Sequence, residues 1–406
     1  MANTENTKAF YNAAVPSGWE VVKVADFGKV HTGNTPPTNE IENYGTKYLF
    51  VSPGDLTEGK YITKTEKRLS EAGFMISRKF PKGSVLFTCI GSTIGKSGIA
   101  SEDLTSNQQI NAIVVNAKNS NEFLYYQLER NANKIKLLAG EQAVPIINKS
   151  QFEAVKLLRA PLPEQRAIAQ VLSLMDRAIN TNNQLIAQKE LRKKWLMQNL
   201  LTGKKRLSGF ENERWKVKLL EDVLIPTSRP VDKPSSEFLA LGIRSHGKGT
   251  FLKHDFEPGK IEMETLFTVR ENDLIVNITF AWEGAIAIVK KEDDGALVSH
   301  RFPTFTFNPA NGVVDYFRHF ILQPKFKYMM DLISPGGAGR NRVLSKKDFL
   351  KLEVKIPSPE EQTAIAQVLQ TADKEIHLLK AKTERLKEQK KGMMQVLLTG
   401  KKRLKI

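Results

Sequence analysis

The sequence predicts a mixed α/β protein in which one domain-plus-helix unit is written twice, giving a pseudo-two-fold chain. Two observations carry that prediction. Residues 164–207 (EQRAIAQVL…LLTGKKRL) and 361–404 (EQTAIAQVL…LLTGKKRL) are near-copies at a constant offset, 361 − 164 = 197, with no gap between them. A repeat of this length governs the architecture and takes precedence over local patterns. The stretch ahead of each copy mixes short β-rich runs with segments of helical spacing, the composition of an α/β domain.

In chain order, residues 1–15 predict a flexible leader of Asn, Thr and Ala, and 16–160 a first α/β domain. Its runs Tyr48-Leu49-Phe50-Val51, Ser84 to Ile90 and Ile110 to Val115 read as strands closed by Gly and Pro. Residues 121–138 read as a helix with Phe123, Leu124, Leu128, Ile135 and Leu138 on or near one face. Pro161-Leu162-Pro163 then introduces a helical spacer, 161–207, with apolar residues Leu172, Ile179, Ile186, Leu196 and Leu200 at steps of helical or heptad spacing. Residues 208–357 predict a second α/β domain, and 358–406 a second helical spacer. In the latter Leu369, Ile376 and Leu397 form one seam and Leu379 and Leu386 another, so sustained heptads argue coiled coil. Ser358-Pro359-Glu360-Glu361 predicts an N-cap, Pro at N1 and a capping-box Glu. Gly203 and Gly400 predict matched stops. Each helix of about 38 residues spans roughly 57 Å. At mid-helix, positions 182 and 189 are Asn and Lys while their repeat equivalents 379 and 386 are both Leu. That asymmetry suits the two helices pairing with each other.

The two α/β stretches echo each other. Trp19…Asp26 matches Trp215…Asp222, and Phe152 and Phe349 precede their helices at the same distance. Lys82 to Leu86 corresponds to Glu271 to Ile275, and Ser106-Asn107-Gln108 to Ser299-His300-Arg301. The frame is shared while the residues between diverge, which suits one scaffold presenting two different surfaces.

The chain has 406 residues and a formal net charge of +17, which points to a polyanion such as nucleic acid. The two repeats hold 11 of the 17 excess charges, +6 in the first and +5 in the second. No apolar run is long enough for a membrane span. Cys89 is the only cysteine, which excludes an intrachain disulfide and fits a reducing compartment, the cytoplasm.

The residues that carry chemistry elsewhere fall short here. Gly91-Ser-Thr-Ile-Gly95-Lys96-Ser97 has three residues between its glycines where a P-loop needs four, and a strand-like run follows. A Gly-Ser loop whose amides approach DNA phosphates is the expectation. Asp55, Glu58 and Lys60 imitate a nuclease core in a turn, and Asn34-Thr-Pro-Pro37 lacks the aromatic of an adenine methyltransferase loop. The histidines 246, 254, 300 and 319 have no metal-ligand spacing. No catalytic residue, metal or cofactor is therefore expected.

The order domain–helix–domain–helix, the Glu-Gln-x-x-Ile-Ala start and the Leu-Leu-Thr-Gly-Lys-Lys-Arg-Leu exit resemble the specificity subunit of type I restriction-modification systems. His31 to Pro37, Val51 to Leu56, Gly83 to Phe87 and Asn107 to Ile110 are similar to its target recognition domains. The resemblance implies that each α/β domain reads one half of a split double-stranded DNA target, and the different surfaces of the two domains predict that the target is non-palindromic. It implies that the two helices pack antiparallel as a spacer, that two methyltransferase subunits dock on the scaffold, and that restriction-motor subunits join them. Arg pairs bidentately with guanine, and Asn or Gln with adenine. The candidate DNA-reading residues are Lys60, Lys64, Arg68, Arg78, Ser92, Lys96, Asn107 and Gln108 in the first domain. In the second they are Arg229, Arg244, His246, Lys248, Trp282, Arg301, Arg340, Asn341 and Arg342. The competing readings are a standalone metal-dependent nuclease or nucleotide-driven remodeller, and a coiled-coil adaptor with protein partners only.

Overall fold

A computed structural model describes residues 15–56, 59–140, 143–334 and 342–405. Nearly all of the predicted leader, and Glu58, lie outside the described residues. The chain forms two compact units, one of Met1–Gln184 with Ala381–Ile406, the other Leu185–Lys380. Each unit holds one α/β domain and part of each long helix.

In the first unit the opening strand Glu20–Lys23 pairs antiparallel with Lys156–Arg159, stitching the two ends of the domain together. The main sheet runs in the order Gly28–Thr32, Ile110–Val115, Val85–Thr88, Ser97–Ala100, Tyr61–Ile62. Ser120 caps the helix Asn121–Lys136 by accepting from Phe123 N. Phe123, Leu124, Leu128 and Ile135 of that helix are fully buried, as its spacing predicts. They share one core with Phe87 and Phe152, with Ile168, Leu172 and Leu397 of the long helices, and with Leu398 just past the second. Domain and helices are thus one hydrophobic body, and each such buried side chain stabilises by about 1.5–3 kcal/mol.

The second unit repeats the frame. Lys216–Leu219 pairs with Glu353–Ile356. A four-stranded sheet runs Leu224–Thr227, Thr304–Phe307, Leu274–Val276, Ile286–Ile288. Beside it a five-stranded sheet runs Pro230–Asp232, Thr265–Thr268, Leu297–Val298, Phe238–Ile243, Thr250–Phe256. The matched positions do matched work. Lys23 N donates to Asp26 Oδ2 at 2.7 Å, and Leu219 N to Asp222 Oδ2 at 3.0 Å. Gly83 and Asn272 both take positive φ, 86° and 72°, ahead of equivalent strands. Asn tolerates that region better than other residues with a Cβ, so the turn survives the loss of Gly.

The long helices are Leu162–Leu200 and Pro359–Leu397, 39 residues each. In the first unit Glu164 meets Arg403, Asp176 meets Lys390 and Asn182 meets Thr383. One number rises as the other falls, so the segments run antiparallel. In the second unit Lys189 pairs with Glu375, Lys193 with Asp373 and Arg206 with Glu361, again antiparallel. Of the predicted seams, Leu172, Leu369, Leu397 and Leu200 are fully packed, and Ile179 and Ile376 nearly so. Ile186, Leu196, Leu379 and Leu386 are only half-buried. The middle of the seam is instead polar, with Asn182 Nδ2 donating to Thr383 Oγ1 at 3.3 Å. A buried polar pair of this kind sets register at some cost in stability. Both helices stop at glycines of positive φ, Gly203 at 70° and Gly400 at 66°.

One sequence expectation is corrected here. Glu361 does not close a capping box on Ser358. Its carboxylate accepts from Arg206 Nε at 2.7 Å, Arg206 Nη2 at 2.6 Å and Trp215 Nε1 at 3.0 Å. Glu164 makes the same three bonds with Arg403 and Trp19. The neighbouring glutamines complete each joint. Gln165 accepts from Ser120 N at 2.8 Å and Gln362 from Val313 N at 2.9 Å. This clasp explains why the identity between repeats is concentrated at their ends. The Glu at one helix start grips the Arg of the other helix's Lys-Lys-Arg tail and the first Trp of the domain, while the Gln beside it holds the domain backbone.

Candidate nucleic-acid interface

The polar loops predicted to read DNA fall into groups that the chain fold brings together or parts. In the first unit the His31–Pro37 stretch lies against the 106–108 loop. A Cβ on Gly33 would stand 2.2 Å from Asn107 O, so only glycine permits this approach. Arg78 N donates to Asn34 Oδ1 at 2.6 Å, and Arg78 Nη1 to Thr32 O. Thr35 Oγ1 donates to Gln108 Oε1 at 2.7 Å. Asn107 is locked by Gln109, accepting from its backbone and donating to its side chain. Arg78 and Gln108 are exposed, so this is a polar surface held rigid from behind. The field there is positive: burial first, then the charges of Lys29, Lys149 and Arg78, hold His31 below its ordinary pKa.

The other five candidates of this domain stand elsewhere. Lys60 is turned inward, its side chain 7% exposed, donating to Glu122 Oε1 at 2.7 Å and Ser173 Oγ at 2.6 Å. A buried, paired ammonium of this kind ties the domain to the central helix, so its place among the DNA-reading residues is corrected. Ser92 and Lys96 sit on the Gly91 turn. The strand Ser97–Ala100 follows that turn, as predicted. The amides of Gly91, Ile94, Gly95 and Lys96 already donate to Pro145, Gly91, Thr88 and Thr93 carbonyls. Those four amides are therefore turned to the protein and not to a phosphate, while the Ser92 side chain stays exposed. Arg68 is half-buried with its guanidinium on Thr46 and Lys47 carbonyls, and Lys64 is exposed.

The second unit gathers more of its candidates. Arg244, His246 and Lys248 are exposed on the turn joining Phe238–Ile243 to Thr250–Phe256. That turn is fastened to the Trp282 loop, His246 N donating to Glu283 O and Gly247 N to Gly284 O, both at 2.9 Å. His246 holds a positive φ of 62°. The Arg342 guanidinium lies 5.4 Å from the Trp282 ring centre and donates to Asp331 at 2.6 Å. Arg244, His246, Lys248, Trp282 and Arg342 therefore form one patch, joined by Lys327, whose Nζ is 3.3 Å from His246 Nδ1. Lys327 carried no signal in the sequence beyond its charge. Arg301 is exposed on its own turn. Arg340 and Asn341 lie outside the described residues. Arg229 is a correction: it forms a two-bond pair with Asp273, which is 2% exposed, and so braces the strand frame.

The residues of the nuclease-like reading are employed otherwise. Asp55 accepts from Ser52 N at 2.7 Å and Glu66 N at 2.8 Å, closing a turn, while Lys60 faces inward. Among the described residues no group of His, Cys, Asp and Glu converges as a metal site, and no helix is long and apolar enough to cross a membrane.

Comparison with known proteins follows the same division. The profile described as type I restriction modification DNA specificity domain matches residues 16–190 and again 212–388. The chain is 28% identical over 436 residues to the type I restriction enzyme MjaVIII specificity subunit of Methanocaldococcus jannaschii, covering 99% of this chain and 97% of that protein. It is 31% identical over 199 residues to the HindI specificity subunit of Haemophilus influenzae, covering 47% and 42%. In fold it is similar to the S subunit of a type I system from M. genitalium, with a TM-score of 0.58 at 15% identity, covering 95% and 97%. It is also similar to the HsdS subunit from Thermoanaerobacter tengcongensis, with a TM-score of 0.52 at 16% identity, covering 96% and 98%.

Proposed function

The chain belongs to the type I restriction-modification DNA specificity family, and from that premise we propose that it reads a bipartite, non-palindromic duplex target, one half-site per α/β domain. The observation that carries this reading is the frame built twice beneath different loops. The Trp–Glu–Arg clasps, the stitching strands and the capping glutamines are the same in both units. The polar groups above them are not: Arg78 and Gln108 in one, Arg244, His246, Lys248, Trp282 and Arg342 in the other. Two identical readers would suit a palindrome; two different ones suit unlike half-sites. Arg342, held against Trp282, is the leading candidate for a base contact, and most of the remaining basic residues serve phosphates.

The long helices act as the spacer between half-sites and as the platform for two methyltransferase subunits, with restriction-motor subunits joining through them. The chain carries no chemistry of its own, needs no cofactor, and works in the cytoplasm. Methylation mapping of DNA modified by this chain with its methyltransferase tests the reading. The expected result is one asymmetric two-part motif with a fixed gap. Inserting one heptad after Gln389 lengthens the gap. A palindromic motif, or a gap unchanged by the insertion, overturns the reading.

A further inference from the structure

We propose that the second unit carries a slot for a single unstacked nucleobase, beside its basic turn; the proposal rests on the DNA-reading function above. In the strand Phe238–Ile243, Leu241 and Ile243 point into the core. Strand alternation puts Ala240 and Gly242 on the opposite face. That face carries no side chain of its own beyond a methyl group at its centre, and a cleft of about 480 Å³ is lined by Ala240 and Gly242 together with the aromatic rings around them. Phe251, across from Gly242 on the next strand, puts its ring over the glycine. A Cβ at Gly242 would be 2.4 Å from its ring. Phe238 and Phe256 stand side by side, their ring centres 5.5 Å apart. Phe280, 39% exposed, and Phe302 line the cleft as well.

An aromatic trough with a polar edge matches the shape of a base, whose faces stack and whose rim exchanges hydrogen bonds. Three lining groups supply that exchange. Asn277 Oδ1 accepts from Thr279 N, leaving its Nδ2 without a partner among the described residues. Ser299 Oγ accepts from Arg301 N, leaving its hydroxyl proton to donate. Glu283 receives Ser245 Oγ on Oε2, and its other oxygen is open to an exocyclic amino group. An apolar protein side chain would use none of these. The mouth is cationic, as flanking phosphates require. The Lys253 ammonium lies 5.9 and 5.6 Å from the Phe251 and Phe256 ring centres, and the Arg244 guanidinium 4.9 Å from that of Phe251.

The test titrates the full-length chain with its mapped duplex target, in which 2-aminopurine replaces each base in turn. At one position the fluorescence should rise on binding, as a base leaves the stack. Ala240→Leu fills the floor of the slot, and Phe280→Ala removes an exposed wall without touching the core. Each should abolish the rise and weaken binding by roughly tenfold, the effect of losing one base–aromatic stack. A bound duplex that brightens nowhere, or a rise that survives both substitutions, overturns the slot and leaves the DNA reading intact. No duplex binding at low salt overturns both. Substitutions that leave the rise unchanged but abolish methyltransferase assembly would make the cleft a protein-docking groove, and overturn it too.

Discussion

Replacing Arg206 with Ala tests the clasp that joins the second domain to both long helices. Glu361 is fully buried and accepts three hydrogen bonds, two from Arg206 and one from Trp215. The substitution leaves its carboxylate buried with one neutral donor. Breaking a buried ion pair in this way costs roughly 3–5 kcal/mol. The Arg206 side chain is 16% exposed, so water compensates in part and about 3 kcal/mol is expected, the low end of that range. For a unit of this size 1 kcal/mol shifts Tm by roughly 2–4 °C, so the melt should fall by about 6–12 °C. Calorimetry and urea unfolding measure both quantities. The double variant Arg206→Ala/Glu361→Gln should recover part of the loss, because a neutral amide tolerates burial where a lone charge does not. A single-variant loss below about 1 kcal/mol, or a double variant less stable than the single, would refute the reasoning.

Two further outcomes follow from buried titratable groups. Burial holds His319 below its ordinary pKa of 6.5, with Lys193 adding to the effect and Asp373 and Asp315 opposing it. Below pH 6.5 the unfolded chain takes up the proton and the folded one does not, so stability is full above 6.5 and declines as pH falls below it. His319→Gln should flatten that decline in pH-dependent melts; an unchanged slope would dismiss the assignment. Burial pushes the Cys89 thiol up to about 12, with Asn111 Nδ2 donating to its sulfur at 3.2 Å. The native chain should therefore leave a disulfide reagent unreacted at pH 8, while the denatured chain releases one equivalent. Rapid reaction in native buffer would contradict the burial.

The sequence alone determined the double architecture, the extent of the two long helices, their glycine stops and the frame positions Trp19, Trp215, Asp26, Asp222, Phe152 and Phe349. These are legible because helical period, turn chemistry and repetition are local properties of the text. The tertiary structure decided which residues meet. Glu361 reads locally as a capping box and is taken by Arg206 and Trp215, 155 and 146 positions away. Lys60 and Arg229 read as free cations and are spent on Glu122 and Asp273. Arg244, Trp282 and Arg342 converge because the amides of the Gly247 turn donate to the carbonyls of the Gly284 turn. A charge in a loop looks the same in sequence whether it faces water or a buried carboxylate. Its environment comes from chain segments far away, and only packing brings those segments to it.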